Sequence, residues 1–407
     1  MDKRRHDIDT LRIGAFVLLI LYHVGMVYVY DWGFHIKSPH QWEWLQWPMI
    51  TSNRWRMSLL FLISGLAIGL SSLMTKPGTI TTRRSLRLLV PLIFGMLAIV
   101  PVQAYYEALS NSAIESGFIA FMLRYLQLQP WPDGGFAGAE YGMTWNHLWY
   151  LAYLWVYSMI LAVLILILKL PSLSQLKNTL LNPGDWPGWA LIALPLPWLF
   201  YGLYVLDPIY DESHALFGDW YAHSKYLFMF LFGVAVARSE RFWDQTVRLR
   251  RIVLGLALTG LTVYMSLRVL GRIITPEAAA ELPDINWTAI SDSAHILYMW
   301  CALLTILAYG KVYLNRPYRW LPYANQAVYP WYILHQSLII PLAFWLIPLN
   351  LPGWLEAGLV LLGTIAGCAL LYEFVIRRLR WLHPLFGVHL RPSNINYPKP
   401  QARLEQA

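Results

Sequence analysis

Runs of about 20 apolar residues, broken by short polar or basic stretches, recur along this chain from residue 11 almost to its end. A run of that length crosses the roughly 30 Å of bilayer hydrocarbon as a helix, the structure in which every backbone polar group is satisfied within the segment. Ten spans are expected, at 11–30, 55–74, 88–107, 147–168, 188–206, 224–238, 252–270, 291–310, 325–346 and 354–376, with 224–238 carrying the weakest signal. The fold class is therefore an all-α polytopic membrane bundle, one domain over 1–390 followed by a polar, proline-containing tail, 391–407, expected to be mobile. Segment 113–128, AIESGFIAFMLRYLQL, is too short and too punctuated to span. It predicts an amphipathic helix on the membrane surface or capping the bundle.

Composition agrees: 57% hydrophobic against 13% charged residues is too oily for a soluble fold, and 21 Trp with 25 Tyr suit interfacial belts. Cys301 and Cys368 both lie in apolar runs, so neither a disulfide framework nor a metal centre is expected. The first apolar run is too long for a signal h-region and reads as a retained span. A net charge of +8 raises nucleic acid as a partner, but the basic residues are scattered over short loops instead of forming one face, so the bilayer is the partner inferred. With the N-terminus inside, 24 of the 31 Lys and Arg fall in cytoplasmic segments, which places both termini in the cytoplasm.

Against this background the ionisable residues inside spans stand out, because such groups are costly unless they face a cavity or a partner. His23 lies 11 residues after Arg12, about 16 Å along the helix and near the bilayer midplane. His335, in VYPWYILHQSLII, reaches a similar depth, so a shared cavity is expected. The competing reading for each is a neutral histidine bonded to a neighbouring helix. His147 stands at the outer start of the fourth span. Arg84 and Arg87 in TTRRSLRLLVPL share a helix face at the cytoplasmic mouth of the third, level with Arg12. Such forks suit phosphate oxygens, although arginines at inner helix ends also serve topology. In the outer loops Trp32, Trp42, Trp44 and Trp47, with Asp207, Asp211, Glu212 and Asp219, could meet a sugar or simply anchor the interface.

LRIGAFVLLILYH resembles the arginine, ten residues, histidine motif of the acyltransferase-3 membrane family, and SLLFLISG followed by RRSLRLLVP resembles its next two landmarks. RMSLLFLISG, NHLWYL and YPWYILHQ are more specifically similar to a glucan succinyltransferase branch of that family. The resemblance implies a multi-pass protein of the bacterial inner membrane. It also implies a cytoplasmic acyl-coenzyme A donor, with succinyl favoured and acetyl possible, and a hydroxyl of a periplasmic glucan or other glycan as acceptor. On that reading Arg12, Arg84 and Arg87 hold the coenzyme, and His23 is general base or acyl carrier. His335 or Tyr332 orients it or stabilises the oxyanion, and Arg56, His147 and Trp149 bind the acyl group or acceptor. The rival class is a transporter or flippase using midplane histidines as a proton relay. Pro91, Pro195, Pro197 and Pro330 interrupt spans, but no matched pair in two halves is found.

Overall fold

A computed structural model describes residues 4–71, 74, 77–131, 135–170, 187–275, 278 and 285–388. Regular structure among these is helical, apart from one isolated bridge between Val29 and Trp42. Helix α1 spans His6–Tyr28 and α2 Gln46–Leu70. Helix α3, Pro77–Phe94, runs through a π-helical turn at Gly95–Ile99 into α4, Val100–Ser110. A short α5, Phe118–Tyr125, precedes α6, Trp149–Ile167. Next come α7, Gly188–Ala193, and α8, Pro195–Tyr201, then α9, Trp220–Val236, and the long α10, Glu240–Ile273. The chain closes with α11, Trp287–Tyr313, α12, Leu321–Leu346, and α13, Gly353–Leu370. Among the described residues, every expected span is helical over most of its length. The tail at 391–407 lies outside the described residues.

Eight helical segments among the described residues are long and apolar enough to cross a membrane, two fewer than the ten expected. The exceptions have separate causes. Helix α2 begins at Gln46 instead of 55, since Pro48 in its first turn has no N–H to leave unsatisfied, and its first half therefore carries Asn53, Arg54 and Arg56. Helix α9 is only 17 residues long. The two pack on each other at backbone contact distance. A Cβ on Gly65 would lie 2.0 Å from the Phe230 carbonyl oxygen, and one on Gly233 2.3 Å from that of Leu62. Small residues that let helices approach this closely are how membrane helices associate without a hydrophobic driving force. Helix α10 outruns the expected 252–270 because Ser239 caps Phe242 N and the basic first turns stay helical beyond the apolar run.

Proline shapes the third span. Pro101 cannot donate to the Leu97 carbonyl, and the π turn at Gly95–Ile99 absorbs the lost bond. Segment 113–128 forms a helix only over its middle, with Phe121 and Tyr125 buried and Phe118, Ile119 and Leu123 exposed. At the centre, α12 packs between α1, α4 and α13, which brings the midpoints of α1 and α12 together.

Candidate active site

His23 Nδ1 and His335 Nε2 are 2.8 Å apart where α1 meets α12. The second nitrogen of His335, Nδ1, lies 2.7 Å from the Tyr332 carbonyl oxygen, which can only accept. His335 therefore carries its proton on Nδ1, and as a neutral ring it offers Nε2 as an acceptor. His23 must then donate from Nδ1, which leaves its Nε2 unprotonated. His23 lines a cavity of about 1650 Å³, while His335 is fully buried behind it. The two histidines expected to share a site do so, with unequal roles: one meets the cavity and the other fixes its tautomer.

His147 holds the turn that carries this pair. Its Nε2 donates to the Tyr332 and Ile333 carbonyls at 3.1 and 3.2 Å, and Gln103 Nε2 donates to its Nδ1 at 3.2 Å. Both ring nitrogens are thus bound within the protein. Asn146, at φ +43°, turns the chain to aim the ring, a left-handed conformation that asparagine tolerates better than most residues. The Tyr332 hydroxyl, a candidate oxyanion donor, donates instead to the His147 carbonyl at 2.5 Å. Tyr332 acts here through its carbonyl, and its hydroxyl ties α12 to the turn that precedes α6.

The cavity brings together Arg56, Trp149, His147 and Tyr332 around His23. Arg56 is 5% exposed and stacks 3.5 Å above the Tyr22 ring, with Nε and Nη1 unbonded. Trp149 stacks at 4.1 Å on His214, from a loop in which His214 and Leu216 both hold positive φ. Glu212 of that loop pairs with Lys225 at 2.7 Å and also accepts from the Tyr226 hydroxyl. Burial pushes the Glu212 carboxyl up, but Lys225 and His214 outweigh it and hold the group well below the usual carboxylate range.

A relay absent from the sequence reading stands beside the dyad. Glu107 Oε2 is 2.6 Å from His35 Nδ1, and Gln336 Nε2 donates to His35 Nε2 at 2.8 Å. His35 and Gln336 both line the cavity. The available signal was Glu107, a lone acid closing the apolar run 88–107.

Arg12, Arg84 and Arg87 gather at the opposite end of the bundle, away from the cavity lining. Arg12 bonds Asp9 at 3.0 Å and Asn325, and Arg84 Nε donates to Ser158 at 3.1 Å. Arg12 Nε, Arg84 Nη2 and Asn325 Nδ2 remain buried without partners. Between this cluster and His23 stand Phe16, Tyr150 and Tyr332, with ring centroids 5.4 Å (Phe16 to Tyr332) and 6.1 Å (Tyr150 to Tyr332) apart.

A membrane-embedded bundle with a base-competent histidine facing a large cavity suits acyl transfer within a membrane. A family model described as an acyltransferase domain, that of the acyltransferase-3 family, matches residues 5–373, and the chain belongs to that family. Searches of curated proteins and of solved structures return no match.

Proposed function

We propose that this protein transfers an acyl group, succinyl in preference to acetyl, from cytoplasmic acyl-coenzyme A to a hydroxyl of an extracytoplasmic glucan or other glycan. The observation that carries the reading is the fixed tautomer of His23, whose free Nε2 points the base at the cavity. The charge asymmetry of the loops supports both termini in the cytoplasm, which makes the cavity end extracytoplasmic, and the family resemblance implies that the membrane is a bacterial inner membrane. Arg12, Arg84 and Arg87 then lie on the cytoplasmic side, and the unbonded buried donors of Arg12 and Arg84 suit coenzyme phosphates.

In the reaction, His23 Nε2 takes the acceptor hydroxyl proton as the oxygen attacks the thioester carbonyl. The C–O bond forms, the C–S bond breaks, and the proton passes from His23 to the departing thiolate. The positive charge that His23 carries meanwhile strengthens its bond to His335 Nε2, which the Tyr332 carbonyl holds in place. His147 positions this turn, and Trp149 offers an aromatic wall to a sugar face. For the thioester to reach His23, Phe16 and Tyr332 must part.

Arg56 supports succinyl over acetyl. A buried guanidinium with two unbonded nitrogens beside the base is matched by a carboxylate at the end of the acyl chain. Purified protein in proteoliposomes, given radiolabelled succinyl- or acetyl-coenzyme A and a glucan, tests both parts. Label should enter the glycan, faster from succinyl-coenzyme A, and Arg56→Gln should move the ratio of kcat/KM toward acetyl by about tenfold or more. No transfer from either donor would overturn the reading, and an unchanged ratio would remove Arg56 from the acyl site.

A further inference from the structure

Helix α2 sends two arginines, two positions apart, to different sides of the cavity. Arg56 reaches over Tyr22 of α1, whereas Arg54 donates to the Tyr264 hydroxyl of α10, with its guanidinium 5.2 Å from that ring. Arg268, one turn after Tyr264, lies 5.9 Å from the same ring, and the His295 ring of α11 lies 5.5 Å away. Helices α10 and α11 run antiparallel in contact, since a Cβ on Gly260 would lie 2.8 Å from the Ala294 carbonyl oxygen. That register sets Arg268 level with the first turn of α11, where Trp287 stands. Arg54, Arg268, Trp287 and His295 all line the cavity that holds His23.

Three buried donors of this lobe have no acceptor. Arg54 Nε, Arg268 Nε and Trp287 Nε1 are all buried and unbonded. The next arginine along α10, Arg272, is paired with Asp31 at 2.8 Å, so the unpaired state of Arg268 is not general to this helix end. Asp292 is close enough to feel Arg54 but leaves its Nε unbonded. With a neutral sugar bound, the Arg268 guanidinium would have no carboxylate partner and Arg54 only the distant Asp292, while an oxyanion meets both forks and the indole N–H.

We propose that the Arg54–Arg268–Trp287 lobe binds an anionic group, carboxylate or phosphate, carried by the acceptor saccharide while one of its hydroxyls sits at His23. The proposal rests on reading this cavity as the acceptor site. It makes the preferred acceptor an acidic or phosphorylated glycan, bound at a point separate from the acyl carboxylate at Arg56.

Titration calorimetry on the protein in nanodiscs, with glucose, glucuronate and glucose 6-phosphate as probes, tests this. Both anions should bind at least about tenfold more tightly than glucose, about 1.4 kcal/mol. Tighter glucose 6-phosphate indicates a phosphorylated acceptor, and tighter glucuronate a uronate. In Arg54→Gln/Arg268→Gln the anion preference should disappear, and Arg268→Lys should keep part of it. Equal affinities in the wild type, or a preference that survives the double variant, would overturn the proposal. Should the double variant not fold, Trp287→Phe serves, with weaker anion binding expected and unchanged binding contradicting. Wild-type protein that shows the preference but no acyl transfer would sink the acyltransferase reading alone, and transfer without the preference would sink the lobe alone.

Discussion

The 2.8 Å contact between His23 Nδ1 and His335 Nε2 has a fixed direction, because the Tyr332 carbonyl takes the only proton a neutral His335 possesses. The placement of the proton in this histidine pair follows from one backbone oxygen on α12. His335→Ala should lower kcat by about a hundredfold with little change in KM, by freeing His23 to adopt the wrong tautomer. His335→Gln, whose amide oxygen can accept from His23 Nδ1, should recover part of the loss. A His335→Gln enzyme no better than His335→Ala would argue against tautomer control.

Tyr332 offers a sharper contrast. Were its hydroxyl the oxyanion donor, Tyr332→Phe would cost about 10²–10³ in kcat, as loss of one such donor does elsewhere. That hydroxyl instead donates to the His147 carbonyl. Tyr332→Phe is therefore expected to cost less than about tenfold in kcat and to lower the melting temperature. A loss of a hundredfold or more, with melting unchanged, would restore the oxyanion role.

The arginine cluster predicts a binding phenotype. Arg84→Ala and Arg87→Ala should raise the KM for acyl-coenzyme A more than they lower kcat, because phosphate contacts are the same in ground and transition states. Lysine at either position should rescue only partly, since a point charge lacks the fork. Calorimetry showing unchanged coenzyme A affinity in the double alanine variant would remove these residues from the donor site.

Glu212 makes the cavity loop acid-sensitive. Its folded pKa lies below the unfolded value of about 4.3, so its contribution is present above that pH and is lost as pH falls through the folded value. Wild-type melting temperature should drop on acidification below about pH 4.5, and Glu212→Gln should melt lower at neutral pH but depend less on acid. Identical acid slopes in the two proteins would show that the Glu212–Lys225 pair does not hold this loop.

Much of this was legible in the chain. An imidazole inside an apolar run is a local anomaly, so His23 and His335 declare themselves, and helical rise alone gives them one depth. The arginine group is equally visible at the mouth of the third span. The use of Tyr332 was not legible, because sequence names a side chain and does not say which carbonyl a helix will offer. The Glu107–His35–Gln336 relay joins residues far apart in the chain, and although Glu107 is a lone acid at the end of an apolar run, nothing in the sequence says that His35 is its partner. Helix ends were missed where local chemistry extended them past the apolar run, as Pro48 does for α2 and the Ser239 cap for α10.

The central claim is that His23 Nε2 is the base. The direct measurement is single-turnover acyl transfer by His23→Ala in proteoliposomes, beside a check that the variant is monodisperse and still binds coenzyme A. The account predicts a fall of about 10²–10⁴-fold in the transfer rate with binding retained. Transfer near the wild-type rate by a folded His23→Ala protein would contradict it.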